Sequence, residues 1–132
     1  MLQTSRDRPT LSPNNTYQRE LEAIVSHAAV HLHVALGAVG TALMDRHGSF
    51  VFNHNALNYA TRATLFRWIN ECIYPYSAGS IQCHHLENVI AFTAALDPQH
   101  VFIIVGKQID DHLIQRFLAS LSQMLPKVPT DA

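Results

Sequence analysis

Ala42-Leu43-Met44-Asp45-Arg46-His47-Gly48-Ser49-Phe50-Val51-Phe52 is the stretch whose reading decides the fold. Ahead of the turn, Thr41, Leu43 and Asp45 alternate with Ala42 and Met44. After it, Phe50 and Phe52 alternate with Ser49, Val51 and Asn53. A period of two on both sides of a short Asp-x-x-Gly turn predicts a half-buried β-hairpin. Gly48 supplies the positive φ that such a turn requires, and the Asp45 side chain can bond its own backbone across it.

Working outward, the hairpin lies between two helical patterns. Tyr17 to Gly37 is expected to be helical, capped at Asn15 or Thr16. Leu21, Ile24, Val25, Ala28, Leu32 and Ala35 form one stripe at 3.6-residue spacing. Ala23, Val30 and Val34 form a second apolar flank, so cover on more than one side is expected. Leu57 to Tyr74 reads as a second helix, with Leu57, Thr61, Leu65, Trp68, Ile69 and Cys72 inward and Phe66 and Ile73 beside them. Pro75 helps to end it, and Ser77-Ala78-Gly79 reads as a loop. Three strands follow: Ser80 to Leu86, Asn88 to Leu96, and Val101 to Val105. They are joined by turns at Glu87-Asn88 and at Asp97-Pro98-Gln99-His100. Gln108 to Leu125 is the last helix, with Ile109, Leu113, Phe117, Leu121 and Met124 as its inner stripe. Asp110 and Asp111 in its first turn meet the helix dipole favourably.

The 132 residues suit one domain over 16–126, with a flexible arm at 1–15 and a tail at 127–132. Apolar residues make up 48% and charged residues only 14%, against about a quarter charged in ordinary soluble chains. So few charges on a small body imply apolar surface buried against another chain. The net charge of −1 gives no polyanion-binding surface, so nucleic acid is not an expected partner. The longest apolar runs are strand-sized and argue against membrane insertion, and the polar start has no signal-peptide core. Cys72 and Cys83 stand in no metal-type or redox-type spacing, which fits free thiols in a cytoplasmic setting.

The order αββαβββα, with Leu43-Met44-Asp45-Arg46-His47-Gly48 soon after the first helix, resembles the roadblock / dynein light chain family. The helix Leu57 to Tyr74 and the meander Ile81 to Val105, closing on Val101-Phe102-Ile103-Ile104-Val105-Gly106, carry the rest of the likeness over residues 17–125. The resemblance implies an α/β (α+β) fold: a five-stranded antiparallel sheet with two helices on one face and the middle helix on the other. It also implies a homodimer in which third strands and middle helices meet, and an adaptor role toward small Ras-like GTPases. The dimer contact would fall on Ile81, Gln82, Cys83, His84 and His85. The histidine-rich, charge-poor surface and the polar arm depart from the family pattern, which bears on the partner's identity.

Nine histidines raise a metal reading. His27 and His31 are one helical turn apart, and Cys83 is close to His84 and His85. Yet no acidic ligand stands between His27 and His31, and adjacent strand residues point to opposite faces. Histidines packed for structural reasons are the preferred reading, and no metal or cofactor is expected. There is no Gly-x-Ser-x-Gly elbow and no phosphate-binding Gly-x-x-x-x-Gly-Lys-Ser/Thr loop, and both cysteines fall at apolar-stripe positions. The expectation is therefore a protein without catalytic residues. It would regulate or scaffold a GTPase through Arg62, Phe66, Arg67 and Ile73 on the middle helix, where apolar residues exceed the inner stripe. A small-molecule sensor of the GAF or PAS type, with His84 or His85 in its cavity, and a metal-dependent enzyme are the alternatives.

Overall fold

The computed structural model describes residues 13–74 and 80–127, with side chains from Thr16 onward. The arm before Pro13, the Pro75 and Ser77-Ala78-Gly79 breaker, and the end of the tail lie outside the described residues. The elements in chain order are α1 (Pro13–Ala35), β1 (Ala38–Asp45), β2 (Phe50–His54), a 3-10 turn (Ala56–Asn58), α2 (Arg62–Ile73), β3 (Ile81–His85), β4 (Ile90–Asp97), β5 (His100–Gly106) and α3 (Asp111–Met124). All five strands join one antiparallel sheet in the order β2-β1-β5-β4-β3. The expected α/β architecture with two helices on one face and one on the other is present.

Strand parity sorts the core into two halves. Leu43, Phe92, Ala94, Phe102 and Ile104 face α1 and α3, where they meet Leu21, Val25, Leu32, Ile114, Leu118 and Leu121. Ala42, Met44, Ala91, Ala95, Ile103 and Val105 face α2, where they meet Leu65, Trp68, Ile69 and Cys72. The hairpin closes as its sequence requires. Asp45 Oδ1 accepts the N–H groups of His47 and Ser49 at 2.9 and 3.0 Å, and Gly48 takes φ +85°. The turns Leu86–Val89 and Asp97–His100 also fall where expected.

Several local readings change. β1 is not half-buried: it lies between β2 and β5, and nearly all of it is covered on both faces. The β1–β2 register slips between Leu43 and Met44, pairing them with Phe52 and Phe50. That bulge sends Phe50 to the α2 side and Phe52 to the α1 side, so the two rings do not share a face. The first helix already runs at Pro13, so Asn15 and Thr16 lie inside it and are not its start. Leu57 is exposed in the 3-10 turn, because α2 begins only after Thr61, whose Oγ1 caps the Thr64 N–H at 3.1 Å. On α3 the sheet takes Ile114, Leu118 and Leu121; Leu113 and Met124 are exposed, and Phe117 turns toward α1 to stack on His31 at 5.5 Å. On α1, Ala23, Val30, Val34 and Ala35 are exposed, so the described residues leave the second apolar flank uncovered.

One polar network is buried in the α1 side. The Tyr17 hydroxyl donates to Asp97 Oδ2, and His100 Nδ1 lies 3.0 Å from both Asp97 oxygens. His100 Nε2 reaches Gln18 Oε1 at 3.2 Å, and the Gln99 N–H donates to Asp97 Oδ1 at 2.7 Å. The start of α1 is thus pinned to the β4–β5 turn. Burial pushes the Asp97 carboxyl up, but the bonds from His100 and Tyr17 outweigh it and hold the group below its ordinary value. A depressed carboxylate stabilises the fold fully above its unfolded value of about 4, and this is lost as pH falls through the lower folded value. Asp97→Asn should therefore cost about 1–3 kcal/mol at neutral pH, and the deficit should shrink in acid. Urea unfolding of both proteins at neutral pH and below pH 4 checks this; a deficit independent of pH would contradict it.

Candidate functional site

The middle helix and the third strand carry the residues expected to bind partners. On α2, turning Leu65, Trp68, Ile69 and Cys72 to the sheet leaves Arg62, Phe66 and Arg67 outward. Arg62 Nη2 donates to the Gly48 carbonyl at 3.1 Å, and its guanidinium lies 5.1 Å from the centre of the Phe50 ring. Phe66 is 39% exposed and lies over the hairpin turn: a Cβ at Gly48 would sit 2.7 Å from its Cδ1. Two shallow depressions meet at Ala63 and Phe66. One is completed by His47, Gly48, Ser49 and Arg62. The other, about 660 Å³, is completed by Arg67, Asn70, Glu71 and Tyr74. The hairpin tip and the outer face of α2 therefore form one continuous surface. Ile73 lines neither depression; it is half-buried and packs on the core beneath α2.

The third strand lies at the sheet edge, paired only to β4 among the described residues. The Leu86 N–H donates to the Val89 carbonyl at 2.9 Å, and the Ala95 N–H to the Ser80 carbonyl at 3.3 Å. In an antiparallel ladder the bonded pairs alternate, so Gln82 and His84 spend their main-chain groups on β4. Ile81, Cys83 and His85 point theirs outward. A proline at Gln82 or His84 would therefore damage this sheet and leave an outer ladder untouched.

The side chains split by the same parity. Toward α2, His84 stacks on Trp68 at 4.2 Å and its Nε2 lies 3.1 Å from Thr93 Oγ1. The Cys72 thiol donates to Thr93 Oγ1 at 3.2 Å, and Gln82 Nε2 donates to the Glu71 carbonyl at 3.4 Å. Burial lowers the His84 pKa and raises that of Cys72. On the opposite face Cys83 is exposed, against the expectation of a buried thiol, and its Sγ is 4.0 Å from His85 Nε2. Burial and the Asp111 carboxylate raise the Cys83 pKa. His84 and His85 therefore do not converge on one cavity. Thiols with raised pKa are poorly ionised, hence weak nucleophiles. Within one chain, no group of three or more His, Cys, Asp or Glu that could hold a metal occurs among the described residues.

The tie from Arg62 and Phe66 to the hairpin had no signal in spacing, since it joins residues brought together only by the fold. Tyr17, Asp97 and His100 were likewise read only as a helix start and a turn.

Comparison with solved structures places this architecture. Myxococcus xanthus MglB superposes with a TM-score of 0.59 at 13% identity, over 86% of this chain and 95% of that one. The gliding protein MglB from Thermus thermophilus gives 0.58 at 15% identity, over 80% and 87%. A roadblock/LC7 domain from Streptomyces avermitilis gives 0.56 at 12% identity, over 79% and 92%. The chain thus has the roadblock fold. No family model matches the sequence, and no curated protein matches it. No helix of the described residues is long and apolar enough to cross a membrane.

Gly48→Val should combine a disfavoured positive φ with a clash against Phe66, and cost roughly 1–3 kcal/mol. Thermal melting checks the loss. An unchanged melting temperature with abolished partner binding would make Gly48 a contact residue, contrary to its assignment as a structural one.

Proposed function

We propose that this protein is a non-catalytic, homodimeric binding module of the cytoplasm that regulates or scaffolds a small Ras-like GTPase. The observation that carries the reading is the continuous surface of Arg62, Ala63, Phe66 and Arg67 against the hairpin tip, on a fold shared with the gliding protein MglB. An exposed aromatic anchor beside arginines is the composition of an interface hot spot. Arg62 is already held by Gly48 and Phe50, so less side-chain freedom is lost on binding. The dimer half of the proposal rests on the outward N–H and C=O groups of β3 and on the low charge content. Pairing two β3 strands about a two-fold axis would extend the sheet and bring both α2 helices to one of its faces. The module would act by binding one state of the GTPase more tightly than the other, supplying no catalytic group.

Neither alternative gains support from the side chains. A sensor cavity needs converging polar groups, and His84 and His85 occupy opposite faces of β3. A catalytic centre needs an activated nucleophile or base, and burial leaves the Cys72 thiol less ionised than usual.

Two measurements test the proposal. Phe66→Ala combined with Arg67→Ala should weaken binding of a GTPase recovered from the source cell by about tenfold or more, with circular dichroism unchanged. Ile73 is left intact because it packs on the core. Undiminished binding would move the partner site elsewhere. Separately, Cys83→Pro removes an outward donor while sparing the β4 ladder, so sedimentation should shift from dimer to folded monomer. A wild-type chain that stays monomeric at micromolar concentration whatever ions are present would refute the pairing.

A further inference from the structure

Cys83 and His85 lie two residues apart on the outer edge strand, so both side chains stand on the α1/α3 side of the sheet. Both are exposed, and Sγ lies 4.0 Å from Nε2. Among the described residues of one chain, no third His, Cys, Asp or Glu completes a metal-holding group here. A two-fold axis would double the pair.

The register of that doubling follows from the strand. β3 runs Ile81–His85, so Cys83 is its midpoint. Ile81, Cys83 and His85 are the positions whose main-chain groups face outward, by the alternation derived from the Leu86–Val89 and Ser80–Ala95 bonds. An antiparallel pairing centred on Cys83 sets Cys83 against Cys83 of a second copy, and Ile81 against its His85. Every outward donor and acceptor of the strand is then used. Centring on Ile81 or His85 would leave part of each strand unpaired.

We propose that two copies paired in this way form a Cys2His2 site for a zinc-like divalent cation, with Cys83 and His85 of each copy as the ligands. The proposal rests on the β3 pairing put forward above. Directly bonded pairs place their Cα atoms about 5.5 Å apart, which sets the two thiols side by side across the axis. Zinc bonds of about 2.3 Å to sulfur and 2.0–2.1 Å to nitrogen put sulfur and nitrogen roughly 3.6 Å apart in a tetrahedron. The observed 4.0 Å needs only a few tenths of an ångström of side-chain adjustment, and both groups are free to make it because they are exposed. Each imidazole leans along its strand toward Cys83, and hence toward the axis.

Oxidation to a disulfide fits this geometry less well. Cβ atoms of a bonded pair stand at the far end of about 4.5–5.5 Å, whereas a disulfide needs about 3.8 Å. A metal ion bridges the larger gap. Two thiolates with two imidazoles in a tetrahedral set select zinc over magnesium or calcium. His84, on the α2 face against Trp68, takes no part.

The test uses the untagged full chain, stripped with EDTA and kept reduced, and titrated with Zn2+ alone. Calorimetry should give one tight ion per two chains, and sedimentation should show a dimer that tightens with zinc. Substitution with Co2+ should give a thiolate-to-metal absorption band. Cys83→Ser and His85→Asn should each lose the stoichiometric ion and the band, while circular dichroism stays unchanged. His27→Asn with His31→Asn should retain both signals. A chain that is monomeric in EDTA and dimerises on zinc also supports the site. A dimer in EDTA that binds no zinc, or binds it equally well as Cys83→Ser, overturns the site and leaves the pairing standing. A dimer untouched by Cys83→Pro, or a monomer with and without zinc, overturns both.

Discussion

Burial of β1 and β5 on both faces is the constraint from which the remaining structure follows. β5 is buried along its whole length, and β1 along nearly all of it. A strand covered on one side can face water on the other. A strand apolar on both sides needs two layers, and each buried Ile, Leu, Phe or Val contributes about 1.5–3 kcal/mol when it finds one. Helices α1 and α3 supply one layer and α2 the other. With the centre of the sheet so defined, the hairpin strand β2 and the short β3 are left as its edges.

The element order was legible because each piece carried its own periodicity or turn chemistry. The Asp45 to Gly48 turn, the Glu87-Asn88 turn and the inner stripe of α2 needed no tertiary information. Errors arose where the pattern admitted two answers. Along α3, the set Ile114, Leu118, Leu121 is as regular as Leu113, Phe117, Met124, and only docking beside α1 chooses between them. The bulge opposite Leu43 and Met44 is invisible to a period-two count, which assumes that Phe50 and Phe52 share a face. The 3-10 turn before α2 depends on Asn55 at φ 69° and on the Thr61 cap, and apolar spacing through Leu57 masked both.

The candidate surfaces were legible as positions and not as geometry. Phe66 stood out as an apolar residue beyond the inner stripe, yet its seat over Gly48 and the tether of Arg62 to the turn come from contacts distant in sequence. For β3 the alternation of side chains was readable, but the alternation of main-chain bonds was not. That second parity needs to know which neighbour is present, and it decides whether a position serves this sheet or another. It also parts His84 from the Cys83–His85 pair, which in one dimension are simply three adjacent ligand types.

The strand order has a further consequence for how the chain reaches this state. β5 is the last strand in sequence and the middle one in space, seated between β1 and β4. Until residues near 100–106 are available, β1 has β2 on one side and an open apolar edge on the other. The β1–β5 seam, which joins Ala38 to Gly106 and Asp45 to His100, closes loops of large sequence separation. Such contacts slow folding, and on a ribosome they must wait for most of the domain to emerge. A nascent chain stalled after α2 would present a half-built sheet with its stickiest edge unpaired. The strand that holds the finished sheet together is thus also the reason that shorter translation products of this chain should be the ones that depend on chaperones.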